Sequence, residues 1–294
     1  MPKFLLGGSP SLGLFSLFPY AGCDGDDVNG CAYPKTVRAT PFDNSSVVAT
    51  PGYFGVTLQS GVEADMTVTQ HTSLFRFKFP AKDAYGEDSK PLILLDLTDL
   101  SDSRQDNATV SVDTDTGRIT GNGRFLPSFG SGTYVAYFCA DFSGGKMRDN
   151  GIFANSRAST AVKDLTISRS INGYPLPGGG FVRFQGPADT PILARVGVSL
   201  ISSDQACSNA ESEIPSFDFN ATHTAAESAW REKISPISVS TTGVDNSLLV
   251  NFYSGVYRTM VNPQDYTGEN PLWKSDEPYF DSFYWYVFQC HTLS

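Results

Sequence analysis

The chain has 294 residues, of which 40% are hydrophobic and 13% aromatic, enough to bury one large core or two smaller ones. Its formal net charge is −10 and it contains no run of lysine or arginine, which argues against nucleic acid as a partner, because a phosphate backbone requires a concentrated basic face. No stretch approaches the roughly 18 uninterrupted apolar residues of a membrane helix, which argues against a membrane partner.

Residues 1–18 read MPKFLLGGSPSLGLFSLF and make a poor signal peptide, because glycine and proline interrupt the apolar run. The compartment is therefore inferred from other features. Three Asn-x-Ser/Thr motifs for N-glycosylation occur beside turn-forming or helix-initiating residues, at Asn44, Asn107 and Asn220. Together with five cysteines, these motifs indicate a secreted protein or one of the secretory pathway.

Cys23 and Cys31 enclose the segment CDGDDVNGC, whose glycine, aspartate and asparagine residues permit the tight reversal that a short disulfide loop needs. A solvated acidic turn and a calcium site are the alternatives, since the loop offers hard oxygen donors from Asp24, Asp26, Asp27 and Asn29. Their order does not match the spacing of a calcium-binding EF-hand loop. We favour a Cys23–Cys31 disulfide. The pairing of the other cysteines is left open: Cys139, Cys207 and Cys290.

From about Val47 to Ser202, short runs of β-branched and aromatic residues alternate with turn residues, a pattern typical of an antiparallel all-β domain. GYFGVTLQ and VEADMTVTQ, joined by SG, predict a hairpin, and TVSVDTDTGRITGNGRF predicts another that turns at residues 115–117. LFRFKF alternates apolar and basic residues, which places its phenylalanines in the core. TYVAYFCADF and PILARVGVSLI predict longer strands. At least nine strands with this spacing favour a two-sheet sandwich.

After Ser202 the hydrophobic period becomes helical. SSDQACSNAESEI and NATHTAAESAWREKI predict two connecting helices. The second is expected to bury one stripe, formed by Ala226, Ala229, Trp230, Lys233 and Ile234. VDNSLLVNFYSGVYRTMVNP predicts a third helix, which begins at Asp245 or Asn246 and ends at Pro263. Its apolar face is predicted to comprise Leu248, Leu249, Phe252, Val256 and Met260.

The sequence shows no independent catalytic or metal motif. The three histidines lack metal-ligand spacing and are interpreted as structural or solvent-facing: His71, His223 and His291. A serine nucleophile motif of the GxSxG type is absent from the sequence. PLPGGGFVRF has no helix after its glycines, so it predicts a turn that enters a strand rather than a phosphate-binding loop.

Several longer segments together resemble glycoside hydrolase family 92. In chain order they are GGSPSLGLFSLFPYAGC, PGYFGVTLQSGVEADMTVTQHTSLFRFKFP, the dipeptide AW at 229–230, FYSGVYRTMVNPQDYTGENPLW and YFDSFY. No single segment suffices, but the combination covers residues 7–284 in the order of the family. Family 92 comprises exo-acting, calcium-dependent α-mannosidases, and its fungal secreted members look most similar to this chain.

The resemblance implies a two-part enzyme, in which a β-sandwich and a helical linker precede a large helical domain that carries the catalytic carboxylates and the calcium ligands. This chain is expected to hold only the first helices of that domain, and the resemblance ends at Trp285. We therefore assign no catalytic residue, metal ligand or cofactor to it, and expect calcium only in the complete family enzyme. Arg258, Asp265 and Trp273 are possible interdomain or substrate-side residues.

The sequence thus predicts a mainly β protein: an antiparallel two-sheet β-sandwich over residues 1–201, a helical linker over 202–240, and the start of an incomplete α-helical domain over 241–294. The predicted function is that of an α-mannosidase fragment, whose partners are mannose-containing glycans and which is inactive alone. Two alternatives stay open. One is a carbohydrate-binding module that presents an exposed aromatic such as Trp230, Trp273 or Trp285 to sugar. The other is a truncated gene product without function.

Overall fold

The computed structural model describes residues 14–98, 105–125, 133–168, 176–186, 190–261 and 268–269. These residues form fourteen strands in two antiparallel sheets. The strands are β1 (Ser16–Tyr20), β2 (Val48–Thr50), β3 (Tyr53–Thr57), β4 (Glu63–Val68), β5 (Thr72–Lys78), β6 (Leu92–Asp96), β7 (Gln105–Val112), β8 (Ile119–Phe125), β9 (Tyr134–Ser143), β10 (Met147–Ala154), β11 (Arg157–Ser159), β12 (Asp164–Ser168), β13 (Gly178–Phe184) and β14 (Ile192–Ser199).

One sheet has five strands, in the order β1-β6-β13-β10-β11. The other has nine, in the order β12-β7-β8-β9-β14-β5-β4-β3-β2. Inward-facing side chains of both sheets form one continuous core, with Ile93 and Val182 from the smaller sheet and Phe77, Phe138 and Val196 from the larger. This arrangement confirms the predicted antiparallel β-sandwich.

The two predicted hairpins are present. β3 and β4 pair with Tyr53 opposite Thr67, and Gly61 in their turn has a φ of +83°. β7 and β8 are joined by a turn in which Gly117 has a φ of +73°, a conformation that favours glycine. The Asp113 side chain fixes that turn by accepting a hydrogen bond from the backbone N–H of Thr116. Local turn chemistry therefore sets the register of both pairs.

The strands begin earlier than the predicted position near Val47, because β1 already belongs to the smaller sheet. Pro19 lies within this strand, opposite Ile93 of β6. Proline cannot donate a ladder hydrogen bond and is tolerated on an edge strand, and β1 is such an edge. A proline within an apolar run argues against a strand in the sequence, which is why this segment is harder to recognise as one.

Four α-helices occur in the described residues: α1 (Lys35–Arg38), α2 (Ser203–Glu213), α3 (Phe219–Ile234) and α4 (Asn246–Val261). Side-chain caps explain where the longer ones begin. Ser202 accepts a hydrogen bond from the N–H of Gln205, and Asp218 accepts one from that of Ala221. Asp245, one of the two predicted caps of α4, accepts from the N–H of Ser247. Pro263, its predicted stop, lies outside the described residues.

The buried stripe of α3 differs in phase from the prediction. It consists of Phe219, Thr222, Ala226 and Trp230, whereas Ala229 and Lys233 are exposed. The stripe starts at Phe219, which packs with Leu74 of β5 and Ile214 on the outer face of the larger sheet. A tertiary contact at the first turn thus decides which face turns inward.

The predicted domain boundaries at residues 201 and 240 stay a prediction. In the described ranges, no helix is both long enough and apolar enough to cross a membrane.

Candidate functional site

An acid-lined pocket lies beside the loop that the sequence assigned to a disulfide. Cys23 and Cys31 are bonded to each other in the structure. The loop between them forms two short 3-10 turns and faces the segment 83–90 across a cavity of about 480 Å³. The lining residues are Gly22, Cys23, Asp24, Gly25, Asp26, Asp83, Tyr85, Glu87, Asp88 and Lys90.

Two carboxylates of this pocket, those of Asp26 and Asp83, already have protein partners. Asp26 accepts hydrogen bonds from Lys90 Nζ at 3.0 Å and from an Arg148 guanidinium nitrogen at 2.7 Å. Burial acts to raise the pKa of Asp26, but the hydrogen bonds from Arg148 and Lys90 outweigh burial and lower it. Asp83 accepts from the backbone N–H groups of Tyr85 and Glu87. Asp26 and Asp83 are therefore already engaged in contacts within the protein.

Calcium binding requires six to eight converging oxygen ligands. Among the residues that the structure describes, no group of three or more His, Cys, Asp or Glu side chains is arranged to hold a metal ion. Asp26 forms ion pairs with Lys90, Arg148 and Arg183 instead. These residues do not fit the calcium that the resemblance implies, so the expectation of calcium in the complete enzyme stays a prediction about other residues.

Glycoside hydrolysis needs a carboxylic acid whose pKa is raised, so that it can donate a proton to the leaving oxygen. The carboxyl pKa values that shift in the described residues shift downward; they belong to Asp26, Asp43, Asp88, Asp113, Glu213, Glu227 and Asp245. Each of these groups accepts hydrogen bonds as a carboxylate. They suit structural roles better than proton donation.

A helical layer, formed by α2 and α3, covers the outer face of the larger sheet. α2 lies so close to β14 that a Cβ at Gly197 would collide with the carbonyl oxygen of Ala206. A second disulfide joins Cys139 of β9 to Cys207 of α2. The sequence left this pairing open. The alternation of TYVAYFCADF indicates the face of the sheet on which Cys139 lies, because it places Cys139 opposite the buried Phe138.

α3 is held on the sheet by a charged and aromatic cluster. Asp65 accepts hydrogen bonds from Arg76 Nε at 2.8 Å and from the Tyr53 hydroxyl at 2.7 Å. The Arg76 guanidinium also lies over the ring of Phe219, 4.1 Å from its centroid. Burial, helped by the hydrogen bond to Asp65, raises the pKa of Tyr53 to about 12. The cluster orients the start of α3.

α4 packs on α3 through Trp230 and Tyr257, whose ring centroids are 4.7 Å apart. Burial raises the pKa of Tyr257. α4 also carries apolar side chains in contact with solvent on more than one face: Leu248 is 61% exposed, Val250 55% and Phe252 40%. The predicted apolar face is therefore only partly covered, since Leu249, Val256 and Met260 are half-buried.

Three residues were predicted to lie between domains or near substrate. Arg258 is exposed on the last turns of α4, and its role stays a prediction. Asp265 and Trp273 lie outside the described residues. Of the aromatics named for a sugar-binding module, Trp230 is only 6% exposed, so the expectation that it presents a platform to sugar is wrong. Trp285 also lies outside the described residues.

The three glycosylation motifs lie on the surface. Asn44 is exposed on a 3-10 turn, and Asn107 is exposed on β7. Asn220 is exposed in the first turn of α3, where its side-chain oxygen accepts a hydrogen bond from Arg76 at 3.3 Å. This exposure is compatible with a glycan at each position, and occupancy stays a prediction.

Two of the histidines take part in packing contacts. His71 Nδ1 lies 2.7 Å from Glu213 Oε1, and the backbone N–H of His71 donates to Glu213 Oε2. The ring of His223 packs on Tyr53 at 4.7 Å. His291 lies outside the described residues. The glycine run 178–180 forms the first part of β13, as predicted for a turn that enters a strand.

Comparison with known proteins gives two family matches. The model of the glycosyl hydrolase family 92 N-terminal domain matches residues 5–199, and that of the glycosyl hydrolase family 92 catalytic domain matches residues 205–292. A relative from Arthroderma benhamiae, named as an uncharacterized secreted glycosidase, is 49% identical over 282 residues, which are 95% of this chain and 36% of the relative.

Solved structures agree in fold. The gh92 family glycosyl hydrolase ccman5 superposes with a TM-score of 0.75 at 19% identity, over 96% of this chain and 37% of its own. The family GH92 inverting mannosidase BT2199 from Bacteroides thetaiotaomicron gives a TM-score of 0.69 at 20% identity, over 88% of this chain and 32% of its own. The chain thus spans about a third of the length of the relatives it matches.

Proposed function

Because the chain belongs to glycoside hydrolase family 92, we propose that it supplies the β-sandwich and the first catalytic-domain helices of an enzyme that removes terminal α-mannose from glycans. The observation that carries the proposal is that models of both parts of the same family match consecutive stretches of the chain in order. The mannose specificity is supported by the structural neighbour that is an inverting mannosidase.

An inverting hydrolase uses one carboxylic acid to protonate the leaving oxygen and one carboxylate to activate water, with the two carboxyl groups roughly 6.5 to 9.5 Å apart. We assign neither role to a residue described here. The role of this chain's own residues is to hold catalytic-domain helices against the sandwich, through the cluster at Arg76, the Cys139–Cys207 disulfide and the Trp230–Tyr257 contact. Calcium dependence is proposed for the complete enzyme only.

The exposed apolar side chains of α4 fit this role. Leu248, Val250 and Phe252, three large apolar residues of one helix, are all exposed, and exposed apolar surface of this kind often marks an interaction site. We propose that further helices of a catalytic domain cover these side chains. The 294-residue polypeptide alone is then expected to have no mannosidase activity.

The test compares two proteins in an assay for mannose release from an α-mannoside with added calcium. One is the 294-residue chain. The other joins residues 1–284 to the part of the Arthroderma benhamiae relative that follows its matched region, and is called the fusion below. The proposal expects activity of the fusion alone, abolished by a chelator. Chelator-sensitive turnover by the 294-residue chain contradicts it.

A glycan-binding screen of the 294-residue chain addresses the module alternative. Specific binding of a sugar at millimolar concentration supports a binding role for the sandwich itself. Absence of binding leaves the scaffold role as the better account.

We also propose that the protein is secreted and carries N-glycans at Asn44, Asn107 and Asn220. The secreted relative and the two disulfides support this proposal. Expression in a eukaryotic secretory host, followed by mass spectrometry before and after removal of N-glycans, tests it.

A further inference from the structure

Glu269 is a buried carboxylate that the proposed chemistry does not use. Its side chain is only 6% exposed. One carboxylate oxygen, Oε2, accepts hydrogen bonds from the Ser199 hydroxyl and from the backbone N–H of Leu200, both at 2.7 Å. The other, Oε1, accepts from Asn209 Nδ2 at 3.1 Å. A carboxylate can only accept, and here every partner donates.

The donors are fixed by the fold in a shape that fits a carboxylate. Asn209 is held by a hydrogen bond from its Nδ2 to the Val198 carbonyl and by one from Gln205 to its Oδ1. The Ser199 hydroxyl accepts from the N–H of Ile201, which leaves its own proton to be donated. These donors therefore form a carboxylate-binding site at the junction of β14 and α2, and local contacts fix its geometry.

Glu269 connects parts of the chain that lie far apart in sequence. It follows α4, yet its partners lie 60 to 70 residues earlier. Ser199 is the last residue of the N-terminal-domain match, whereas Glu269 lies inside the catalytic-domain match. The α2 side of the junction is further tied to the sheet by the Cys139–Cys207 disulfide.

We propose that Glu269 is a positioning residue that anchors the chain after α4 to the junction of the sandwich and α2, and so sets how the catalytic part sits on the sandwich. The anchoring stands on the contacts of this chain alone. The consequence for catalysis rests on the proposed function. Buried hydrogen bonds to a charged acceptor are stronger than neutral ones, which suits an anchor.

The first test measures amide hydrogen exchange in the complete 294-residue chain. Glu269→Ala removes all three bonds, and Glu269→Gln places an amide donor against donors, so that at least one bond is lost. Exchange at the Leu200 amide is expected to accelerate about tenfold or more in Glu269→Ala and less in Glu269→Gln. The matched control is Glu232→Gln, at an exposed glutamate of α3, which leaves exchange unchanged.

The Val198 amide, which donates to the His71 carbonyl, reports on the intact strand and stays protected in every variant. Unchanged protection of Leu200 in Glu269→Ala overturns the anchor. Equal acceleration at Leu200 and Val198 also overturns it, because the substitution would then only destabilise the whole fold.

The second test uses the fusion, at a temperature where each variant is folded. Glu269→Ala is expected to lower kcat/KM about tenfold, mostly in kcat, and Glu269→Asp, which remains an acceptor, is expected to recover more activity than Glu269→Gln. Wild-type activity in Glu269→Ala, or better rescue by Gln than by Asp, overturns the positioning role. If the unmodified fusion does not act on α-mannosides, the proposed function fails, whereas the exchange result still decides the anchor.

Discussion

Trp230 of α3 and Tyr257 of α4 pack ring against ring, with centroids 4.7 Å apart and planes inclined at 60°. Their contact joins the last helix of the described chain to the helical layer on the sandwich. Elsewhere on α4, the apolar side chains of Leu248, Val250 and Phe252 are exposed to solvent. The Trp230–Tyr257 pair thus attaches α4 to α3, and the exposed apolar side chains of α4 are available for contact with further helices.

Loss of this contact should loosen α4 without disturbing the sheets. Tyr257→Ala removes an aromatic pair that contributes about 1 kcal/mol beyond the area it buries. A sixteen-residue helix is marginal in water without tertiary support. Hydrogen exchange across α4 should therefore accelerate while the strand amides keep their rates. Tyr85→Ala, at an exposed tyrosine, is the control and should change neither. Unchanged exchange of α4 in Tyr257→Ala would contradict this contact.

The two disulfides should differ in their contribution to stability. Cys139 and Cys207 are separated by 68 positions, and Cys23 and Cys31 by 8. In the chain-entropy account the longer loop contributes about 4 kcal/mol and the shorter about 2.5 kcal/mol. Replacing each pair by alanines and measuring denaturant unfolding should give the larger loss for the Cys139–Cys207 pair. A larger loss for the Cys23–Cys31 pair would show that local strain or packing, not loop length, dominates.

Stability in acid should depend on Glu213. Burial acts to raise the pKa of this carboxyl, but hydrogen bonds from His71 and Thr69 outweigh burial and lower it from its ordinary value of 4.5. A lowered folded-state pKa contributes stability above pH 4.5, which is lost as the pH falls through the folded value.

The measurement is the free energy of unfolding of wild type and Glu213→Gln as a function of pH. Wild type should be more stable by about 1 to 3 kcal/mol near neutral pH, and the difference should shrink below pH 4.5. Glu232→Gln should show a small difference at every pH. A gap between wild type and Glu213→Gln that grows on acidification would contradict the assignment.

Replacement by alanine should change the stability of the fold in opposite directions at two glycines. At Gly197 a Cβ would collide with the Ala206 carbonyl oxygen, so Gly197→Ala should force α2 away from β14 and destabilise the fold by about 1 to 3 kcal/mol. At Gly255, exposed in the interior of α4, a Cβ would have no neighbour within 4 Å. Gly255→Ala should stabilise the helix by about 0.5 to 1 kcal/mol. Thermal unfolding of both variants measures the two changes in stability. A Gly197→Ala variant that is more stable than wild type would rule out the close approach of α2 to β14.

The sequence predicted the features that arise from local pattern. Alternation placed Phe75 and Phe77 in the core, and turn chemistry placed the reversal at Gly117. It also predicted three helices after Ser202 and a cap of the third at Asp245 or Asn246, of which Asp245 is the one that caps it. These features depend on neighbours within a few positions, which a single sequence displays directly.

What the sequence missed depends on contacts between distant positions. The phase of α3 is set by Phe219 packing on Leu74 across the sheet. Leu74 shares a face with Arg76, opposite the core phenylalanines, and α3 covers that face. Glu269 lies in a segment whose sequence shows no hydrophobic periodicity. Only the fold shows that Ser199 and Asn209 donate hydrogen bonds to it.

The central claim is that the sandwich and its helices are the scaffold of a mannosidase whose bond-breaking groups lie outside the residues described. The most direct measurement is NMR of mannose release from an α-mannoside by the 294-residue chain and by the fusion. The account predicts no release by the 294-residue chain, and release by the fusion with β-mannose formed first, as inversion requires. Release by the 294-residue chain, or formation of α-mannose first by the fusion, would contradict it.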